Sequence, residues 1–304
     1  MIKAIIFDYG GTLDSRGDHW SEVIYRAYRA EMPHIARDDF RHAYVMAERA
    51  LDGTGIIRPT DTFLDVMIKK ITLQFAHLNI PAPANSQPPH LIAPETPHPA
   101  HHKAHVPNAT EAPSSSLNAP EAPYPAILRI ATRCYESARE CILEARPVLE
   151  ALASRYPLVI VSNFYGNLPA VLADFGIAHL FRAVIDSTAV GIRKPDPAIF
   201  RLGIQALNTL PSEPAFSGKQ VPETPTSAPQ NTEIPSSETN LAEILPSEIL
   251  VVGDSISKDI LPATTLGCPT AHLPGIPWDP TAPTKPLPST TIPLTTLSDL
   301  LHLF

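Results

Sequence analysis

Short apolar runs alternate with stretches of helical period along this chain, and that alternation leaves few folds open. Residues 2–7, 158–161, 183–185 and 249–252 are brief and rich in β-branched side chains, as buried strands are. A fifth short strand is expected within 269–273. Between them the period lengthens. Residues 19–50 read as helical, with Trp20, Val23, Ile24 and Tyr28 on one face. Phe63, Val66, Met67, Ile71 and Phe75 form a stripe over 61–77. Further helices are expected over 126–143, 147–154 (with Pro147 at the favoured first position), 197–207 and 260–266, and a final helical turn or two over 297–304. Residues 174–181 read as a connection. Strands alternating with helices predict an α/β fold with a parallel sheet.

Two stretches break the pattern. Residues 79–125 are rich in Pro, Ala, His and Ser, and 210–247 in Pro, Ser, Thr and Glu. Neither holds enough aliphatic surface to offset chain entropy, so both are expected to be disordered inserts. They gather much of the chain's 35 prolines and hold its charged fraction down to 18%. The rest suffices for a core in a chain of 304 residues that is 44% apolar.

With a net charge of −8 and no Lys/Arg run to grip a phosphate backbone, no nucleic-acid partner is expected. No apolar run approaches the ~20 residues of a membrane helix, and no membrane partner is expected. Cys134, Cys141 and Cys268 form no C-x-x-C pair, which suits a reducing compartment. The expected location is therefore cytoplasmic.

The polar residues that stand out follow the strands. Asp8 ends the first and precedes Tyr9-Gly10-Gly11-Thr12, where glycines allow a tight turn against a ligand. A carboxylate there can act as a nucleophile, or it can be a plain turn aspartate. Ser162-Asn163 follows the second strand and could hold an anion or cap a helix. Lys194, in Lys194-Pro195-Asp196-Pro197, could offset gathered negative charge or lie on the surface. Asp254 follows the fourth strand and Asp259 comes five residues later. Such carboxylates suit Mg²⁺, although Asp259 could equally serve a helix start. In parallel sheets ligands bind beyond the carboxyl ends of the strands, so these groups should meet at one edge.

In this order the motifs Asp8-Tyr9-Gly10-Gly11-Thr12, Ser162-Asn163, Lys194-Pro195-Asp196-Pro197 and Gly253-Asp254-Ser255 with Asp259 resemble those of haloacid dehalogenase-like hydrolases. The resemblance implies a Rossmann-like parallel-sheet core over 1–14 and 146–304, with an inserted α-helical cap over 15–145. It implies Asp8 as nucleophile, with Ser162 holding and Lys194 stabilising a transferring phosphoryl group. Gly11, Thr12 and Asn163 would contact substrate. Mg²⁺ would be held by Asp8, the Gly10 carbonyl and Asp254, with Asp259 supporting the metal or Lys194. The expected activity is a Mg²⁺-dependent phosphatase acting on a small phosphorylated metabolite through an aspartyl-phosphate.

One position departs from the pattern. Phosphatases of this kind carry a second aspartate two residues after the nucleophile, and here that place is Gly10. Losing a general acid/base costs ~10²–10⁴ in rate. Asp14, Arg16 and His19 are candidates to replace it, or are simply hinge and helix-start residues. A phosphonatase-like reading would need a cap lysine, Lys69 or Lys70, to form an imine. A dehalogenase-like reading fits poorly with the retained Asp254 and Asp259. A binding protein without turnover is the last alternative. His90, His98, His101, His102 and His105 could hold a metal only on some scaffold, and Asn108-Ala109-Thr110 matches a glycosylation sequon. Phe164 and Tyr165 could line the site, pack in the core or touch the cap.

Overall fold

The computed structural model describes residues 1–52, 54–80, 123–209, 243–279, 281 and 285–303. The two Pro-rich stretches, the five insert histidines and Asn108 fall outside these residues, apart from the stretches' outermost positions.

The core is a parallel sheet in the order β3-β2-β1-β4-β5-β6. Its strands are β1 (Ala4–Phe7), β2 (Leu158–Ser162), β3 (Ala183–Asp186), β4 (Ile249–Gly253), β5 (Thr270–His272) and β6 (Ile292–Pro293). From β1 the chain adds strands first on one side, then on the other. The order therefore reverses between β1 and β4, the place where open α/β sheets open a crevice. The register levels the strand ends there: Phe7 pairs with both Ile160 and Val252. Asp8, Ser162 and Asp254 consequently emerge on one rim.

The three central strands are buried along their whole length, so side chains alternate between two apolar layers. Ile5, Phe7, Leu158, Ile160, Leu250 and Val252 join the larger layer, which continues into the cap. Ala4, Ile6, Val159, Val161, Ile249 and Val251 pack on the other face, beneath α7 (Ala198–Asn208). Each fully buried aliphatic side chain contributes about 1.5–3 kcal/mol. Gly203 lets α7 come this close: a Cβ there would lie 2.7 Å from Val161 Cγ2.

The inserted cap is helical. It comprises α1 (Trp20–Glu31), α2 (Arg37–Leu51), α3 (Phe63–His77) and the outer part of α4 (Pro123–Ala153). The single helix expected over 19–50 is two, interrupted around Pro33, which lacks the amide to continue α1. The opposite correction applies at α4. Pro147 was expected to open a new helix, but α4 runs through it. The bond it forgoes would go to Leu143, whose side chain is exposed, while Ile142, Ala145, Val148 and Leu149 bury the helix's other face. The expected cap–core boundary at 145/146 thus falls inside a continuous helix. The seven-residue α5 (Leu168–Asp174), with Pro169 in its first turn, and the two-residue β6 were not foreseen. Two short helices complete the core, α6 (Ser187–Val190) and α8 (Leu261–Thr265). No described helix is long and apolar enough to cross a membrane.

A loop after β5 ties the cap to the core. The His19 amide donates to the Ile276 carbonyl at 2.8 Å, and the Ile276 amide to Asp18 Oδ1 at 2.9 Å. Arg41 of α2 donates to the Trp278 carbonyl at 2.7 Å, and Trp278 packs against His19 and Tyr44.

Candidate active site

The turn after β1 sorts its side chains by environment. Asp8 faces the rim, while Tyr9 is driven into the core against Phe164, ring centroids 5.6 Å apart. Gly11 sits at φ +101°, a conformation side chains rarely adopt, and a Cβ there would lie 2.6 Å from the Asp254 carboxylate. Its amide donates to Asp14 Oδ1 at 2.8 Å, which fixes the turn. Gly10 differs: a Cβ would meet nothing within 4 Å.

The polar groups expected at the strand ends converge. Asp8 Oδ1 accepts from Ser162 Oγ at 2.9 Å and from Lys194 Nζ at 2.5 Å. Lys194 also donates to Asp259 Oδ1 at 2.6 Å and to the Val161 carbonyl at 3.1 Å. Thr12 Oγ1 lies 3.1 Å from Asp8 Oδ2 and 3.2 Å from Asp254 Oδ1, and it accepts from the Asp254 amide at 3.0 Å. Thr12 is 1% exposed and lies beneath the cavity, bridging two carboxylates. Asn163 lines the cavity, but both ends of its amide clasp the Lys194 backbone, at 3.0 Å and 2.8 Å. Its visible work is to place Lys194.

Asp259 is held through the wide π-helical turn Ile256–Ile260, in which the Ser255 amide donates to its Oδ2 at 3.0 Å. Gly253 admits it, since a Cβ there would lie 2.4 Å from Asp259 Cβ.

One buried lysine is therefore bonded to two carboxylates of a group of three. Ligand atoms of Asp8, Asp254 and Asp259 lie within 4.8 Å of one another. Burial pushes the Asp254 carboxyl well above its usual range, and Asp259 and Asp8 add to this. Burial likewise raises Asp259 to about 6, against the pull of Lys194. On Lys194 burial works downward, but Asp259 and Asp8 prevail and hold it raised, hence protonated. The cluster carries more negative charge than its lysine balances. That donor set, all oxygen and rich in carboxylate, fits a hard divalent cation such as Mg²⁺.

The cavity above has about 200 Å³ of space. Asp8, Gly10, Gly11, Ser162, Lys194 and Asp254 line its floor, and cap residues of α1–α3 its roof. Of the proposed proton carriers, Asp14 is buried under the turn, with its carboxyl raised to about 7 by burial, and is not in the cavity wall. Arg16 is exposed and grips Glu144 with two bonds, at 2.7 and 2.6 Å. His19 does reach the wall. Burial, followed by Lys258, lowers its imidazole to about 4, so it is neutral near pH 7. Its Nδ1 accepts the Ser21 amide at 3.2 Å, which leaves the proton on Nε2.

Phe164 and Tyr165 both line the cavity, and Tyr165 also reaches the cap. The sequence reading missed Glu48, Tyr44 and Lys258, which line it too. Lys70 was noted only as an imine candidate. A stronger signal was present: Lys70 sits on the apolar stripe of α3 with Phe63, Val66 and Met67, where an unpartnered lysine would be costly.

A curated mouse protein, haloacid dehalogenase-like hydrolase domain-containing protein 3, is 41% identical over 61 residues, 20% of this chain and 24% of its own length. The chain thus matches only about a quarter of that relative. Among solved structures, a dehalogenase with an intermediate complex aligns over 100% of this chain and 97% of its own, with 14% identity and a TM-score of 0.50. YfnB from Bacillus subtilis, solved bound to magnesium, aligns over 99% and 98%, with 15% identity and a TM-score of 0.44. The family described as haloacid dehalogenase-like hydrolase matches residues 2–218, most of the chain, and it is to this family of hydrolases that the chain belongs.

Proposed function

We propose that the protein is a Mg²⁺-dependent phosphatase that transfers the phosphoryl group of a small phosphate monoester to Asp8 and then to water. One observation carries this reading: three carboxylates, Asp8, Asp254 and Asp259, with ligand atoms within 4.8 Å of one another and a single lysine bonded to two of them. Attack on a carbon–halogen bond needs no cation, and it would gain nothing from so costly a cluster.

When bound, Mg²⁺ would neutralise the carboxylates and the phosphate oxygens; Asp8, Asp254 and the Gly10 carbonyl would hold it, with Asp259 supporting the metal or Lys194. Asp8 attacks phosphorus, the ester P–O bond breaks, and the leaving oxygen departs as an alcohol after taking a proton. Ser162 and Lys194, both bonded to Asp8, would bind the phosphoryl oxygens and spread their charge. Water then attacks the aspartyl-phosphate, which frees inorganic phosphate and restores Asp8. Of the three candidates only His19 reaches the wall, and with its imidazole lowered to about 4 and its Nδ1 accepting the Ser21 amide it is a poor acid and a poor base. The leaving oxygen therefore takes its proton from solvent, and the attacking water gives its proton back to solvent. Turnover should therefore be slow in the second step.

The imine route finds no support in the lysines. Lys69 is paired with Asp61 and donates to the Ile56 carbonyl at 2.9 Å. Lys70 is kept protonated: burial lowers its pKa, but Glu48 and Tyr44 outweigh it.

The test is phosphate release from a panel of small phosphate monoesters, with chloropropionate and a phosphonate alongside, in Mg²⁺ and in excess chelator. Release from monoesters alone, abolished by chelator, is the expected result. Chelator-insensitive chloride release would sink the proposal. A cytoplasmic location, with neither nucleic acid nor membrane as partner, fits this reading.

A further inference from the structure

The roof of the reacting cavity holds a buried ion pair that this chemistry does not use. Lys70 of α3 is 3% exposed, yet it lines the same cavity of about 200 Å³ as Asp8. Its Nζ lies 2.7 Å from Glu48 Oε1 of α2 and donates to Tyr165 Oη at 2.8 Å. The Tyr165 hydroxyl in turn donates to Glu48 Oε2 at 2.7 Å. Around them stand Tyr44, Phe63, Val66 and Met67.

The donors can be counted. An ammonium has three protons. One goes to Tyr165 and one faces Glu48; the third has no oxygen or nitrogen acceptor among the described residues, and the face of the Tyr44 ring lies 5.8 Å from Nζ. The Tyr165 proton is spent on Glu48. A buried N–H without an acceptor costs about 1–3 kcal/mol, so this cluster is built to meet an oxygen from the cavity. Glu48 already balances the charge of Lys70, so a second anion is not required. Lys70 and Asp8 line the same cavity, so the oxygen that Lys70 meets belongs to the part of the ligand nearest phosphorus.

Resting on the phosphatase reading, we infer that Lys70, held by Glu48 and Tyr165, is a specificity-determining residue that selects phosphate monoesters whose leaving group carries an uncharged oxygen, a hydroxyl or carbonyl, within a few bonds of phosphorus. The competing role is structural. Lys70 and Glu48 belong to the cap and Tyr165 to the core, so the cluster could simply hold the two together.

The experiment reads binding, not turnover. The full chain carrying Asp8→Asn is titrated calorimetrically, in Mg²⁺, with 2-hydroxyethyl phosphate and with propyl phosphate, which puts a methyl where the hydroxyl was. The same titrations are run with Lys70→Met added, and with Lys70→Met plus Glu48→Gln, which leaves no buried charge unpaired. A preference of about 10–100-fold for the hydroxylated ligand is expected, and both Lys70 variants should shrink it to within about threefold while propyl phosphate affinity holds. Equal binding of the two ligands, no binding of either, a preference that survives Lys70→Met plus Glu48→Gln, or an equal loss of both ligands would overturn the inference. Because hydrolysis is not read, a Lys70-dependent preference in a chain whose wild type releases no phosphate would uphold the inference while ending the phosphatase reading.

Discussion

Lys194→Met should cost about 3–5 kcal/mol of stability, the usual consequence of removing one partner from a buried ion pair. It should also lower turnover by about 10²–10³, the scale seen when one charge-stabilising donor is lost. Lys194 is 5% exposed and lies within 2.6 Å of both Asp8 and Asp259, so no water can take over its role cheaply. Without it, three carboxylates, two of them buried, face one another. Their response to pH has a definite sign. Asp254 and Asp259 are raised even with the lysine present, Asp259 to about 6. A carboxyl raised in the folded state favours folding while protonated, and that contribution is lost as pH rises through its folded value. The variant's deficit against wild type should therefore be small near pH 4 and grow toward pH 8. Denaturant unfolding in chelator at the two pH values measures this. Added Mg²⁺ should recover part of the loss at pH 8. A deficit independent of both pH and Mg²⁺ would mean that the lysine acts by packing alone.

Gly10→Asp should raise phosphatase turnover by about 10²–10⁴, the worth of a positioned general acid/base. The site has room for it. No atom lies within 4 Å of the added Cβ, and Gly10, unlike Gly11, has no left-handed backbone for a side chain to strain. The new carboxyl would stand beside a carboxylate-rich cluster, which favours its protonated form and so its use as a donor to the leaving oxygen. Having given up that proton, the carboxylate is left beside Asp8 as a base for the attacking water, so the gain should extend to release of the phosphoryl group from Asp8, the step that His19 serves poorly. Pre-steady-state kinetics separate the two steps. An unchanged rate would show that another group already moves the proton.

The sheet and its rim were legible in the sequence because strand-end chemistry is local. Asp8, Ser162 and Asp254 each lie at or just past the end of an apolar run, Lys194 follows one after the short α6, and parallel pairing brings such ends together. The roof was not legible in this way. Lys70 meets Tyr165 across 95 positions and Tyr165 meets Glu48 across 117, and no local period reports such pairs. The loop at Trp278 reaches Arg41 across 237 positions and reads only as a Pro-rich tail. Pro147 misled because its local preference for a helix start was overridden by the apolar face of α4 packing through it. Thr12 and Asn163 were read as substrate contacts from their motifs. In the structure Thr12 bonds to Asp8 and Asp254, and Asn163, in the cavity wall, bonds to the Lys194 backbone, pairings that the motifs alone do not report.

The central claim is covalent, and trapping the intermediate tests it most directly. Wild type is mixed with an activated aryl phosphate in Mg²⁺, quenched in acid within one turnover, and mapped by peptide mass spectrometry. One phosphoryl group on Asp8, absent in chelator and in Asp8→Asn, is the predicted result. Sustained turnover by Asp8→Asn, or label on another residue, would contradict it.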